Sequence, residues 1–454
     1  MPTINNGASF TVTLPAGQQI STTGTGVATL GPGPSANLQI GLQGSNVIGP
    51  YGNDQAVYLT GTSALSYAVG YPITSPSAAD LQLNIPEVNW VRSSVSGGDA
   101  LKLRRWRAAL GKAVAGTARA RVLFGGDSQT RGVGASGASY AGNQALAYPT
   151  QLAALAGKRL AAVNMGSSFG DTNVTIANHV LYDPRWSAGA GWTTQLLGGG
   201  LGGAPISHNA ANTNALNFAP AAQFDSIKVW YLTNPGFQAF TVAVDGGAAL
   251  GTITPTAANS FTSTTLTTTL GTHTINIAKT AANAAAVHIV GIETWNSAAK
   301  GVEFLNCGLN GSKTADWITS LYYQAGQQTL SLAPDLVVFM IGANDWGLGT
   351  DPTVYAANLQ TYITATLAVS DMIIVGPPPT QVGWSGFSEL TRQAAMIDAA
   401  RSAAAANNIP FVDVNARAGT WAQANASGLY FDGAHPLAAE YADVAAAIYP
   451  VIFS

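Results

Sequence analysis

Apolar and polar positions follow three different rhythms along this chain. From Pro2 to about Gly97, short alternating or apolar runs such as Ser9-Phe-Thr-Val-Thr-Leu14 and Ala56-Val-Tyr-Leu59 are separated by Gly and Pro, which predicts a small all-β module. Leu103, Trp106, Leu110 and Val114 then recur at helical spacing, predicting an amphipathic helix over Gly98 to Ala118. After it, apolar strands alternate with helical segments. Arg121-Val-Leu-Phe-Gly-Gly126 reads as a buried strand, Tyr148 to Gly157 as a helix, and Arg159 to Asn164 as a second strand.

Between about Thr175 and Leu305 helix signals vanish. Phe224–Leu232, Phe240–Asp245, Ser263–Thr269, Thr272–Ile277 and Ala285–Trp295 are strand candidates, the pattern of a β-sandwich inserted into another domain. The strand and helix alternation then resumes. Leu336–Ile341, Met372–Val375 and Phe411–Val414 read as strands, and Thr353–Val369, Glu389–Asn407 and Leu437–Tyr449 as helices. Such alternation implies a parallel sheet covered on both faces, with ligands at the carboxyl ends of its strands. The expected division is 1–97 (β module), 98–174 with 306–454 (α/β domain) and 175–305 (β insert).

Composition narrows the classes. The 454 residues include 19 Lys plus Arg and 22 Asp plus Glu, only 9% charged against roughly 25% in ordinary soluble domains, while 47% are hydrophobic. Global disorder needs more charge and fewer aromatics. A net charge of −3 supplies no basic field for nucleic acid, and the local cationic cluster from Lys102 to Arg121 lies on the predicted helix as a solvated face. The one cysteine, Cys307, forms no intrachain disulfide and no multi-thiolate metal site. His179, His208, His273 and His288 lack metal-ligand spacing, and there is no Gly-rich phosphate loop followed by Lys, so neither metal nor nucleotide cofactor is expected. Met1 to Phe10 lacks the pattern of a secretory signal, and no stretch approaches a membrane span of roughly 20 apolar residues.

The candidate chemistry sits at three strand ends. Gly126-Asp-Ser128, Gly342-Ala-Asn-Asp345 and Asp432-Gly-Ala-His-Pro436 each follow or flank a predicted strand or helix. A serine on such a turn presents its hydroxyl to substrate, an Asn amide can donate to an oxyanion, and Asp and His three residues apart can place a carboxylate beside an imidazole. Gly-Asp-Ser, Asn-x-Gly-x-x-Gly, Gly-x-Asn-Asp and Asp-x-x-His-Pro, in that order, resemble the four motif blocks of the SGNH hydrolases, also called GDSL esterases. The resemblance covers about Arg121 to Ser454 outside the insert. It implies a flavodoxin-like three-layer α/β fold in which Ser128 is the nucleophile, His435 the general base and acid, and Asp432 its orienting carboxylate. The oxyanion hole would combine the Ser128 amide, a glycine amide of the second block and the Asn344 side chain. Asp127 and Asp345 are read as structural residues of their turns.

Two stretches approximate the second block, Asn164 to Gly170 and Asn306 to Gly311. The regular spacing and the position just before the Asn344 block favour Gly311, with Gly170 the alternative. A rival nucleophile lies in the same region, because Gly166-Ser-Ser168-Phe-Gly170 satisfies Gly-x-Ser-x-Gly after a strand. The position of the insert resembles a branch that carries a carbohydrate-binding-like sandwich and includes peptidoglycan and polysaccharide O-acetyl esterases. The expectation is therefore a serine esterase that removes O-acetyl groups from a polysaccharide, with the insert's Trp186, Trp192, Trp230, Tyr231 and Trp295 as candidates for stacking on sugar. The sparsely charged β-rich front looks like phage tail-fibre sequence, which places the protein on a virion tail or outside the cell, as a homo-oligomer (a trimer by analogy). The alternatives are a non-catalytic glycan-binding tail adhesin and a lipase or arylesterase acting on small esters.

Overall fold

The computed structural model describes residues 102–454, apart from 161, 170–174, 195–200, 202–204, 258–259, 319–324 and 454, together with the strands that precede them. The chain divides into two compact units, Met1–Arg92 and Ser93–Ser454. In the first, Thr3–Ile4, Leu65–Gly70, Gln19–Leu30, Gln55–Gly61 and Ser9–Leu14 pair in that order, and Leu38–Ile48 forms a long antiparallel hairpin with Gln19–Leu30.

The second unit is built on a seven-stranded sheet. Its strands in chain order are β1 (Val95–Ser96), β2 (Ala120–Gly126), β3 (Val163–Asn164), β4 (Val302–Asn306), β5 (Leu336–Met340), β6 (Asp371–Gly376) and β7 (Phe411–Asp413). The spatial order is β1-β7-β6-β5-β2-β4-β3; every pairing is parallel except that of β1 with β7. The α/β expectation is met, and β2 is the point where the strand order reverses, so the crevice beside its carboxyl end is the expected ligand position.

Every residue of β5 is buried, as a strand covered on both faces requires. Helices Arg104–Val114, Tyr148–Ala156 and Ala438–Ile452 cover one face through Trp106, Leu152 and Ile448, while Pro352–Val369 and Leu390–Ala406 cover the other through Leu359, Ile363 and Met396. The first helix is shorter than the expected Gly98–Ala118. Val114 is 69% exposed and Ala109 and Ala113 take the buried positions, while the Trp106 indole N–H donates to the Ile452 carbonyl at 2.7 Å.

The segment between β3 and β4 forms two facing antiparallel sheets. One orders Trp192–Thr194, Ile206–His208, Val287–Trp295, Phe224–Thr233 and Ser260–Gly271; the other orders Trp186–Ala188, Leu216–Phe218, Ile275–Lys279, Phe240–Val244 and Ala249–Ile253. A helix, Ile176–Tyr182, departs from the all-β expectation there. It is capped by the Thr175 hydroxyl, and its β-branched Ile176 and Val180, packed on the sandwich core, make so short a helix read as a strand. The sandwich is continuous with the parallel-sheet domain. Phe169, Trp230, Leu232 and Val290 share one hydrophobic core with Leu123, Leu305 and Val337, and Arg121 of β2 is ion-paired with both Glu293 of the sandwich and Glu303 of β4. No helix among the described residues is long and apolar enough to cross a membrane.

Candidate active site

The end of β2 can pass β5 only without a side chain. Gly126 has φ +144°, and a Cβ there would lie 1.9 Å from the Met340 carbonyl oxygen. Asp127 then caps the short helix Ser128–Arg131 by accepting a hydrogen bond from the Gln129 N–H at 2.9 Å, so Ser128 opens the helix at the sheet's carboxyl end. Its Oγ lies 2.9 Å from His435 Nε2, and His435 Nδ1 lies 2.8 Å from Asp432 Oδ2. The Asp432 Oδ1 atom also accepts the backbone N–H groups of Ala434 and His435, each at 2.8 Å. Burial pushes the Asp432 carboxyl up, but the imidazole and these N–H donors outweigh it and hold the group below its ordinary range.

The loop after β4 folds onto the same helix. Asn306 accepts the Gly308 N–H at 3.0 Å and donates to the Thr130 carbonyl at 3.2 Å, while the Leu309 N–H donates to the Gly126 carbonyl at 2.8 Å. A Cβ on Gly308 would lie 2.3 Å from the Arg131 nitrogen, so the approach requires glycine. Gly311 follows with φ +75°, and the Ser312 carbonyl accepts from Asn344 Nδ2 at 3.1 Å. The Asn306 block, the Asn344 block and Ser128 are thus tied together. Asn164 forms a similar turn, accepting the Gly166 N–H at 2.8 Å, but its amide donates to Thr294 of the sandwich; Gly170 lies outside the described residues.

Two buried carboxyls support these turns. Burial, above all, pushes Asp127 up to about 7, against the Gln129 N–H and His435; its Oδ2 has no hydrogen-bond partner. Asp345 is likewise pushed up to about 6 by burial, opposed by the Thr314 hydroxyl and N–H that donate to it at 2.8 and 3.0 Å.

The rival Ser168 has a different environment. Its hydroxyl donates to Asp183 Oδ2 at 2.6 Å and accepts from the Trp186 indole at 2.8 Å, and Asp183 is held by Arg185. No imidazole bonds to it. His179, nearby, is fully buried, its nitrogens make no hydrogen bonds, and burial with the neighbouring Arg131 pushes it down to about 3.

The sugar-stacking expectation for the insert is corrected. Trp186, Trp192, Trp230 and Tyr231 are 1%, 5%, 5% and 8% exposed, and Trp295 is half-buried beneath the Arg119 guanidinium. Trp230 stacks on Phe261 and donates to Glu293 at 2.6 Å, a seam contact rather than a free surface. Alternation along an antiparallel strand does not say which face stays open when a second domain covers the outer one.

Two features escaped the sequence reading. Gln129, fully buried, donates to the Ala434 carbonyl at 2.7 Å and so ties the serine's helix to the residue before His435. Tyr182 of the inserted segment donates to the Arg131 carbonyl at 2.7 Å, and Arg131 lies over its ring, which buttresses the same helix from the sandwich side. Neither has a signature in a single sequence, because each acts through a contact between distant segments.

A three-layer sheet with a serine, an imidazole and a carboxylate in line at its reversal point has the architecture of an ester hydrolase. Residues 282–442 match the GDSL-like Lipase/Acylhydrolase family, a stretch that includes Gly311, Asn344, Asp432 and His435. The chain carries a GDSL-like (SGNH) acylhydrolase domain and belongs with the carboxylic ester hydrolases. Among solved structures, a peptidoglycan O-acetylesterase is similar over 79% of this chain and 99% of its own, at 17% identity and a TM-score of 0.58, which shows a shared fold. A family two carbohydrate esterase from Cellvibrio japonicus (12% identity, 63% of this chain, 98% of that one, TM-score 0.26) and an acetylxylan esterase from Geobacillus stearothermophilus (21%, 34%, 73%, 0.26) also match. No curated protein matches the chain.

Proposed function

We propose that the protein is a serine esterase that removes O-acetyl groups from a polysaccharide, with Ser128, His435 and Asp432 as its catalytic triad. The observation that carries this reading is the hydrogen-bonded line from Ser128 Oγ through His435 to Asp432, at 2.9 and 2.8 Å. Asp432 holds the imidazole proton on Nδ1, which leaves Nε2 to take the serine proton as Oγ attacks the ester carbonyl. The N–H groups of Ser128 and Gly311 and the Asn344 amide receive the oxyanion. Collapse expels the sugar hydroxyl, which takes its proton from Nε2, and water attacks the acetyl-serine by the same route in reverse. Ser128 and Asn344 are 8% and 7% exposed, a recessed setting that favours a short acyl group. The glycan assignment draws on the fold shared with a peptidoglycan O-acetylesterase. The sparsely charged β-rich first unit supports a carrier role at a phage tail, which mass spectrometry of purified virions tests.

The decisive assay measures acetate release from O-acetylated peptidoglycan and acetylated xylan beside hydrolysis of short- and long-chain aryl esters. Release from a glycan that Ser128→Ala abolishes is the expected result. Glycan binding without turnover would make the protein an adhesin, and activity confined to aryl or long-chain esters would make it an arylesterase or lipase. A serine-directed phosphonate should label the peptide containing Ser128; labelling of Ser168 instead would move the chemistry to the sandwich seam.

A further inference from the structure

The loop from Pro377 to Ser388 carries exposed aromatic surface that the triad does not use. Phe387 is 53% exposed, Val382 58% and Leu348 50%, with Trp384 half-buried among them. The loop borders the active site directly. A Cβ on Gly433, between Asp432 and Ala434, would lie 3.1 Å from Trp384 Cδ1, and one on Gly347, at the end of the Asn344 helix, would lie 2.4 Å from the same ring. The Trp384 indole therefore rests on both the His435 loop and the Asn344 helix, and Phe387 continues the surface by covering Gly349, 3.0 Å from the equivalent position.

This surface is fixed before any ligand arrives. The Gln381 N–H donates to the Gly433 carbonyl at 2.7 Å, and the Gly383 N–H to the Ser388 carbonyl at 2.9 Å. The Ser388 hydroxyl is buried on Thr380 and accepts from Gln393 at 2.8 Å, while Thr380 accepts from the Trp346 indole at 2.8 Å. Ser385, between the rings, holds φ +53°, a conformation that non-glycine residues rarely adopt and that the surrounding bonds must enforce.

We propose that Trp384 and Phe387 form a stacking platform for a neutral sugar ring of the chain that carries the ester. The proposal rests on the glycan esterase reading and adds the place where the polymer lies. From Pro377 to Ser388 the loop carries no charge, which suits a neutral ring. Gln381 and Ser385 are exposed polar residues of the same loop. Stacking uses the C–H face of a pyranose and leaves its hydroxyls to those residues and to water. A fatty-acyl chain would need an enclosed apolar slot rather than exposed rings on a loop.

The test separates binding from turnover. In the Ser128→Ala background, titration calorimetry with acetylated xylo-oligosaccharides and O-acetylated peptidoglycan fragments measures affinity, while acetate release by the wild type is followed on the same sugars. Phe387→Ala should weaken binding about tenfold, and Phe387→Trp should retain it. Trp384→Leu should weaken binding similarly, and circular dichroism reports whether it folds. Unchanged affinity in Phe387→Ala, or no binding of either probe, overturns the platform. Effects of Phe387→Ala that grow with acyl length on aryl esters also overturn it, by assigning the surface to the acyl group. Binding that Phe387→Ala weakens, without acetate release by the wild type, upholds the platform and removes the deacetylase reading; release that Phe387→Ala leaves unaltered does the reverse.

Discussion

Replacing Asp432 by Asn tests the proposed triad while leaving its loop in place. The Oδ1 atom accepts two backbone N–H groups, and an asparagine oxygen can still do so, which limits the stability loss to about 1 kcal/mol. Oδ2, however, becomes an NH2 group 2.8 Å from His435 Nδ1, where two donors cannot face each other, and an Nδ1 proton is left only Oδ1, 3.0 Å away and already accepting two backbone N–H groups. The favoured tautomer therefore carries its proton on Nε2, which then donates to Ser128 Oγ and cannot accept from it. Recovering the productive tautomer forfeits a charge-assisted bond of about 1.5–3 kcal/mol and breaks a new neutral bond of about 1 kcal/mol. Together these give about 2.5–4 kcal/mol, or roughly 10²- to 10³-fold in kcat. A fully buried orienting carboxylate reaches about 10⁴-fold; Asp432, with 43% of its side chain exposed, belongs lower. The assay is kcat on an aryl acetate with the melting temperature measured alongside. A variant that keeps a third of its turnover while folded would refute Asp432 as the group that orients His435.

Asn344→Ala should lower kcat by about 10²- to 10³-fold with little change in KM, because its amide is proposed to meet charge that develops in the transition state; steady-state kinetics on an aryl acetate checks this. Trp230→Ala should cost about 3–5 kcal/mol in thermal or urea denaturation and depress activity on polymer and small ester alike, since the ring fills a shared core and binds Glu293. Selective loss on polymer with unchanged stability would put that ring in contact with substrate. Glu440 is buried, its Oε1 has no hydrogen-bond partner, and burial, with Asp443, pushes it up to about 7 against Arg417. The native state therefore holds its proton through a window where the unfolded chain has lost it, and stability falls as pH rises from about 4.5 to about 7. Glu440→Gln should remove that loss, matching the wild type below the window and exceeding it at pH 8 by at most about 3 kcal/mol in urea denaturation; no change in the difference between pH 5 and pH 8 would refute the assignment.

The α/β alternation was legible because strands such as Leu336–Met340, buried on both faces, leave uninterrupted apolar runs. The motif loops were legible because their residue types are chemically restricted and stand at strand ends. Helix Ile176–Tyr182 was not, since about two capped turns give too little periodicity to read. The sandwich tryptophans misled for a different reason. Trp230 stands on the same strand face as Ser226 and Lys228, as an exposed ring would, and only the packing shows that no open face remains for it. Trp384 and Phe387 lie in a Gly- and Pro-rich stretch that reads as punctuation, so nothing local announces that it borders His435.

The insertion of the sandwich between β3 and β4 also sets the order of events at the ribosome. Strand β2 pairs with β4 and β5 alone, so Val122, Leu123 and Phe124 emerge with neither neighbour yet made. At roughly 5–20 residues per second, the wait for Val302 is on the order of ten seconds or more, and of the strands made in that interval only those of the sandwich can pair among themselves. An unpaired apolar strand held that long is open to association with other chains. The domain that bears the serine is thus begun before the sandwich and finished after it, and yield on expression should respond to variants that slow closure of the sandwich even where the mature enzyme is as stable as before.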